Sequence, residues 1–320
     1  MDYRRQTLGF LASLTLIAFA SACAPKAAPQ TDLSPEVLKW IKPGTDIVQS
    51  LSVNNAECLT EAASNDPNVY LGRAAFRSPF LLGGQATRQG LTCQACHMQG
   101  QRTSNFFIEG LSEEPGTADV TNFHFSEDLG DDVFNPTRIP SLADGVRGVS
   151  YDPESRELEK LVTRLITNEF DGDTPHPDVF AGLLSYLRAL DVNFCGAKDA
   201  EGPKLEGRDL LDYHLKSLTQ TFDLIMTANY AAEPKQFMVA SLRYELGNIY
   251  RHYPNSKSLQ SDLEALGRVL SAREGGVSEV KLLEARALWG ELKPNLAKDY
   301  SKSLFHPPAI QKWLEKRGRK

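Results

Sequence analysis

The sequence predicts an all-α fold in two helical parts, and three observations carry that prediction. In residues 208–320 apolar side chains recur at spacings of three and four, the period of a helix that buries one face. Residues 58–195 hold shorter apolar stripes of the same period, separated by long polar stretches. Between those stripes, Cys93-Gln94-Ala95-Cys96-His97 places two thiols and an imidazole at i, i+3 and i+4, so one helical turn presents all three on one face.

Taken in chain order, residues 1–22 read as a signal peptide. Arg4 and Arg5 form a charged start, residues 8–20 an apolar run, and Ala20-Ser21-Ala22 a small-residue cleavage site. The end of this segment also looks like a bacterial lipobox, with Cys23 as the lipidated first residue and Ala20 where Leu is usual. The alternative is plain cleavage before an unmodified Cys23. The Arg4-Arg5 pair faintly resembles a twin-arginine export signal. Residues 24–34, rich in Ala and Pro, then act as a tether, which makes residues 23–57 an anchored N-terminal extension. No later run reaches the roughly 18 apolar residues needed to cross a bilayer.

Within residues 58–195, an apolar helix is expected over 69–76, interrupted by Gly72 and ended by Ser78-Pro79. Gly83-Gly84 turns the chain before the Cys93 segment. Residues 99–139 are rich in Gly, Asp, Asn, Ser and Thr and show no sustained period, and a loop of that length is usually functional. Asp152-Pro153 offers an N-cap and a first-turn proline for a helix running to about Thr167, with Leu158, Leu161, Val162, Leu165 and Ile166 inward. Another helix starts near Pro177 and carries Val179, Phe180, Leu183, Leu184, Leu187 and Leu190.

Residues 196–207 form a polar linker. Beyond it lie four stripes: Leu211, Leu215, Leu218, Phe222 and Ile225; Leu242, Leu246 and Ile249; Leu259, Leu263, Leu266 and Leu270; and Val280, Leu283, Ala287 and Leu292. Breaks at Glu233-Pro234, Pro254-Asn255 and Gly275-Gly276 separate them, and short connections imply an antiparallel helical bundle.

The C-x-x-C-H form of residues 93–97 is the form to which haem c is covalently attached. Cys93 and Cys96 supply thioethers to the porphyrin, and His97 supplies a proximal nitrogen to iron. A dithiol redox site also uses C-x-x-C, but it gains nothing from the following histidine. A zinc site needs a second Cys or His pair, and no other close Cys pair exists. Export agrees with this reading, because haem c is joined to its chain after translocation.

Of the five cysteines, Cys23 goes to lipid and Cys93 and Cys96 to haem. Cys58 and Cys195 remain, either as two buried thiols or as a disulfide of the kind that an exported compartment permits. Closing so long a loop contributes up to about 4.7 kcal/mol in the chain-entropy model. A formal net charge of -6 without internal basic runs argues against nucleic acid as a partner. The basic end, Lys316 to Lys320, reads as a solvated tail.

Three further segments carry a family resemblance: Arg138-Ile139-Pro140-Ser141-Leu142, then Tyr151 with the helix through Ile166, then Leu183-Leu184-Ser185-Tyr186-Leu187-Arg188-Ala189-Leu190. Together with the C-x-x-C-H they resemble the haem domains of the dihaem cytochrome c peroxidase and MauG group, over residues 68–191. The resemblance implies a cytochrome c-like haem domain ahead of the bundle. That group normally has two C-x-x-C-H motifs and this chain has one, so two-haem catalysis within one chain is unsupported. A methionine ligand is common in the helix matching 159–166, where only Leu165 and Ile166 stand here. The family's F-H-D-G-like turn is Tyr151-Asp152-Pro153.

The sixth iron ligand separates the functional readings. Met98 rides on the proximal side, and Met226 and Met238 read as core. His124, in the long loop, is the candidate distal ligand, since a distal histidine occupies a comparable stretch in one haem domain of the family. His176, between Pro175 and Pro177, is a weaker candidate. The expected function is an envelope-located, lipid-anchored carrier of single electrons between redox protein partners. The alternatives are a peroxidase-like haem enzyme with an open distal position, or a haem-based sensor or docking module.

Overall fold

The computed structural model describes residues 42–123, 125–126, 129–195, 203–271 and 276–317. The chain forms α1 (Ile47–Ser52), β1 (Val53–Asn55), α2 (Glu61–Asn65), α3 (Pro67–Phe76), α4 (Gly84–Arg88) and α5 (Cys93–Cys96). A long irregular stretch carries β2 (Thr117–Ala118) and β3 (Thr137–Arg138). There follow α6 (Glu157–Arg164), α7 (Pro177–Ala189), β4 (Lys204–Glu206), α8 (Gly207–Thr227), α9 (Ala232–His252), α10 (Lys257–Val269), α11 (Glu279–Lys298) and α12 (Pro307–Lys316). Among the described residues the fold is mostly helical, with two short antiparallel ladders, β1 with β4 and β2 with β3.

Local chemistry sets several helix starts. Asp46 caps α1 by accepting from the Val48 and Gln49 amides, and Asp66 caps α3 ahead of Pro67. Asp152-Pro153 does not open α6. Asp152 Oδ1 instead accepts from the Glu154 amide at 2.9 Å, which closes a local turn, and the helix begins only after Arg156 at φ 56°. Past Arg164 the helix widens into a π turn over Leu165–Glu169.

Gly72 does not interrupt α3. A Cβ there would lie 1.9 Å from the Gly182 carbonyl oxygen, so the missing side chain lets α3 and α7 cross backbone to backbone. Glu233-Pro234 lies inside the first turn of α9, where a proline removes no intrahelical hydrogen bond.

The fourth expected stripe is out of register. Val280 and Leu283 are 74% and 55% exposed, whereas Leu282, Ala285, Trp289, Leu292 and Leu296 face inward. The observed face, Leu282, Ala285, Trp289, Leu292 and Leu296, offers more apolar area to bury than Val280, Leu283, Ala287 and Leu292, and this selects the inward side of α11.

The polar stretch 196–207 ends in structure: Lys204–Glu206 pair with Val53–Asn55, and the Ala56 amide donates to Pro203 O at 2.8 Å. The extension before Cys58 is also built in. Leu51 of α1 packs with Leu304, Ile310 and Trp313, and the last two belong to α12, a helix the periodicity did not reveal. One hydrophobic core runs from α3, α6 and α7 through α8 to α11. Cys58 and Cys195 form a disulfide with Cα atoms 5.2 Å apart, across a sequence separation of 137.

A buried ionic cluster lies within that core. Glu57 accepts from Arg73 Nε at 2.9 Å and from Tyr186 Oη at 2.9 Å, and pairs with Arg73 Nη2 at 2.6 Å. Arg77 donates to Glu245 at 2.6 Å and to Tyr213 Oη at 2.5 Å, and Glu245 meets His214 Nδ1 at 2.8 Å. Two guanidiniums and two carboxylates balance in charge, which is what permits their burial.

Removing one member leaves an uncompensated buried charge. Arg77→Ala is therefore expected to lower the unfolding free energy by about 3–5 kcal/mol, measured by urea denaturation. Arg156→Ala, which breaks the solvent-facing pair with Glu159, should leave the midpoint unchanged.

Candidate cofactor site

α5 is a single turn, from Cys93 to Cys96, and the His97 amide donates to Cys93 O at 2.9 Å. Cys93 and Cys96 are free thiols, and both keep some accessible surface, as does His97. They stand where apolar clusters meet. Cys93 packs on the main core and on Leu82, Ala86, Leu91, Leu111 and Phe125. Cys96 packs on Phe106, Ala118 and Ile139.

His97 Nδ1 lies 3.0 Å from the Pro140 carbonyl oxygen. A carbonyl can only accept, so the proton is on Nδ1 and the lone pair on Nε2. The surrounding backbone holds Pro140 in place. The β2–β3 ladder ends beside it, the Ile139 amide donates to Gly116 O at 3.0 Å, and the Leu142 and Ala143 amides donate to Gly100 O at 2.8 and 3.0 Å. Gly100 itself, at φ 78°, has no room for a side chain, because a Cβ would meet Leu190 Cδ1 at 2.4 Å.

Burial pushes the Cys93 and Cys96 thiols up to about 12, and it pushes His97 down to about 4 against its hydrogen bond to Pro140. At neutral pH the site therefore presents two protonated thiols and a neutral imidazole. A working dithiol redox pair needs an accessible thiolate, which this setting disfavours. Among the described residues, no cluster of three or more His, Cys, Asp or Glu side chains is arranged to hold a metal ion.

Of the other predicted site residues, His124 and Cys23 lie outside the described residues. His176 is committed to the start of α7, where its Nδ1 accepts from the Asp178 amide at 3.2 Å. Met238 is fully buried in the core, and Met226 packs against it. The Met98 sulfur turns to Gln94 Nε2, 3.7 Å away, on the reverse face of α5.

That reverse face borders a cavity of about 280 Å³ shared with α1, β1, α8 and α9. His214, Glu245 and His252 line it, and His252 stacks on Phe305 with ring centroids 4.0 Å apart. The sequence offered no way to pair Pro140 with His97, 43 positions earlier. Nor did it pair Arg77 with Glu245, although Arg73 and Arg77 one turn apart on an apolar helix are a signal of buried charge. In comparisons with known proteins the chain matches no family model, no curated protein and no solved structure.

The cavity's charged groups respond to acid at different pH. Burial pushes the Glu245 carboxyl up, but Arg77 and His214 outweigh burial and hold it at about 2. Burial lowers His252 from 6.5 to about 4, against its hydrogen bond to Asn248 O. A neutral His252 contributes stability that is complete above its unfolded value and is lost as the pH falls from 6.5 to 4. The expected loss over that window is on the order of 3 kcal/mol, read from denaturation midpoints, and His252→Gln should remove this part of the slope. The Glu245 contribution should be complete above 4.5 and should be lost progressively as the pH falls from there to about 2.

Proposed function

We propose that this chain is a c-type cytochrome of the bacterial envelope that holds one covalent haem c and passes single electrons between protein partners. Its haem domain would resemble those of the dihaem cytochrome c peroxidase and MauG group, followed by a helical bundle. The observation that carries this reading is the hydrogen bond from His97 Nδ1 to Pro140 O at 3.0 Å. It orients the imidazole and leaves the lone pair on Nε2, as a histidine that ligates iron requires.

The donor set fits the group. Two free thiols on one helical turn are followed directly by a neutral imidazole, and the apolar side chains around the thiols suit a porphyrin rather than a bare cation. Cys93 and Cys96 would hold the ring, and His97 would ligate the iron. Bound there, the haem supplies a reversible one-electron couple. Leu82, Leu91, Leu111, Phe106 and Ile139 keep water from the site. The exposed Phe123, Val133 and Phe134 on the following loop offer a redox partner an apolar contact. His124 is the proposed sixth ligand, and Cys23 the proposed lipid anchor.

The test is production of the full chain in cells with a c-type maturation system, followed by intact-mass and haemochrome measurement. One covalent haem per chain is expected, with loss of covalent attachment in the Cys93→Ala, Cys96→Ala double variant and loss of the native spectrum in His97→Ala. A haem-free chain from cells that load a control cytochrome overturns the reading.

In the haem-loaded protein, His124→Ala should convert a low-spin oxidised spectrum to high spin and open the iron to carbon monoxide. An unchanged low-spin spectrum removes His124 as the ligand. A wild-type protein that is already high-spin and binds carbon monoxide rapidly favours the peroxidase-like reading over electron transfer.

A further inference from the structure

Beside α12 lies a cleft of about 400 Å³ whose polar lining is entirely basic or neutral. Lys302, Lys312 and Lys316 line it together with His306, Asn255 and Ser301, and no Asp or Glu is among the lining residues. Lys302 is paired with Asp299 Oδ2 at 2.9 Å. Lys312 and Lys316 stand one turn apart on α12, both exposed, and neither has an ion pair among the described residues. Like charges at that spacing destabilise a helix, and an anion in the cleft removes the repulsion. The charge is also concentrated here. From His306 onward the sequence holds five Lys or Arg against Glu315 alone, a formal +4 within a chain of net charge -6, which leaves -10 on residues 1–305.

We infer that this cleft seats the phosphate of an anionic phospholipid headgroup, and that α12 is the face the protein turns to a membrane. The neighbourhood of α12 selects the lipid among anions. Ile310 and Trp313 of α12 pack with Leu51 of α1, and Ile47 and Val48 join that cluster. α1 is the first described element, and it begins 24 residues after Cys23, the proposed lipid anchor. A chain coming from the bilayer therefore enters the fold against the basic helix. An anchor keeps the local concentration of lipid high, so a modest attraction per lysine is enough to orient the protein.

Anionic lipids attract each Lys or Arg near the surface, and the attraction fades within a Debye length. Arg317 lies over the Trp313 ring, 4.4 Å from its centroid, which holds a further cation at the same end of α12 as Lys316. The inference rests on the proposed anchor at Cys23 and on no part of the haem reading.

The test uses the full chain as exported with Cys23→Ala, so that no acyl group contributes, in co-sedimentation with vesicles. One set is phosphatidylcholine alone, and the other contains about one third phosphatidylglycerol. Binding is expected to the second set only, with release as the ionic strength rises. Lys312→Ala with Lys316→Ala should weaken it about thirtyfold. Lys160→Ala with Lys281→Ala removes the same charge from exposed lysines outside the cleft and should leave binding within about twofold. Both double variants should keep the wild-type melting midpoint. No vesicle binding by the folded protein, equal binding to both sets, or equal weakening in the two double variants overturns the proposal. Inorganic phosphate is titrated separately by calorimetry, and phosphate binding without vesicle binding assigns the cleft to a soluble anion and overturns the membrane face. The intact mass of the wild-type protein reports acylation of Cys23, so a failure of the anchor is read apart from a failure of the cleft.

Discussion

The buried pairing of Glu57 and Glu245 with Arg73 and Arg77 is the constraint on which the rest of the structure depends. Arg73 and Arg77 stand one turn apart on α3, Glu57 precedes the disulfide cysteine, and Glu245 lies in the middle of α9. None of these charges can enter an apolar core alone, because desolvation of each ion costs several kcal/mol. Their burial therefore requires that α3, α8 and α9 arrive together in one arrangement. Tyr186 and Tyr213 add hydroxyl contacts to Glu57, so α7 is drawn into the same arrangement. Hydrophobic contacts alone tolerate sliding, and a hydrogen-bonded ionic cluster does not.

This arrangement governs the placement of the Cys93 turn. With α3 crossing α7 at Gly72 and Gly182, the end of α7 presents Leu190 to Gly100, immediately after the motif. The motif segment is then held from several directions. Asn55 of β1 donates to Arg102 O at 3.0 Å, Leu142 and Ala143 donate to Gly100 O, and Pro140 accepts from His97. A helix of one turn has no stability of its own, since nucleation costs more than one hydrogen bond returns. Its geometry is imposed by neighbours distant in sequence, and a site that must orient an imidazole needs such support.

The same turn has two chemically different faces. Cys93 and Cys96 pack on apolar clusters, while Gln94 and Met98 line the cavity with His214, Glu245 and His252, and Ala95 touches both. Glu245, a member of the ionic cluster, and its partner His214 form part of the cavity wall, so the cluster and the cavity share these two side chains. The helices of the C-terminal part thus contribute directly to the surroundings of the motif. They share its core and supply the wall behind it.

By itself the sequence determined the helical class, the close spacing of Cys93, Cys96 and His97, and most inward stripes. These are local properties, set by a period of 3.6 residues and by the spacing of chemistry-bearing side chains. It misjudged Asp152-Pro153, because a side-chain turn and a helix cap share one local signature. It also chose the wrong face of α11, because two apolar stripes compete there and only the partner surface decides for Trp289. The tertiary structure alone decided which carbonyl meets His97 and which carboxylates neutralise Arg73 and Arg77. Each of these pairs residues far apart in the chain, and the cost of bringing them together is met only when the whole core closes.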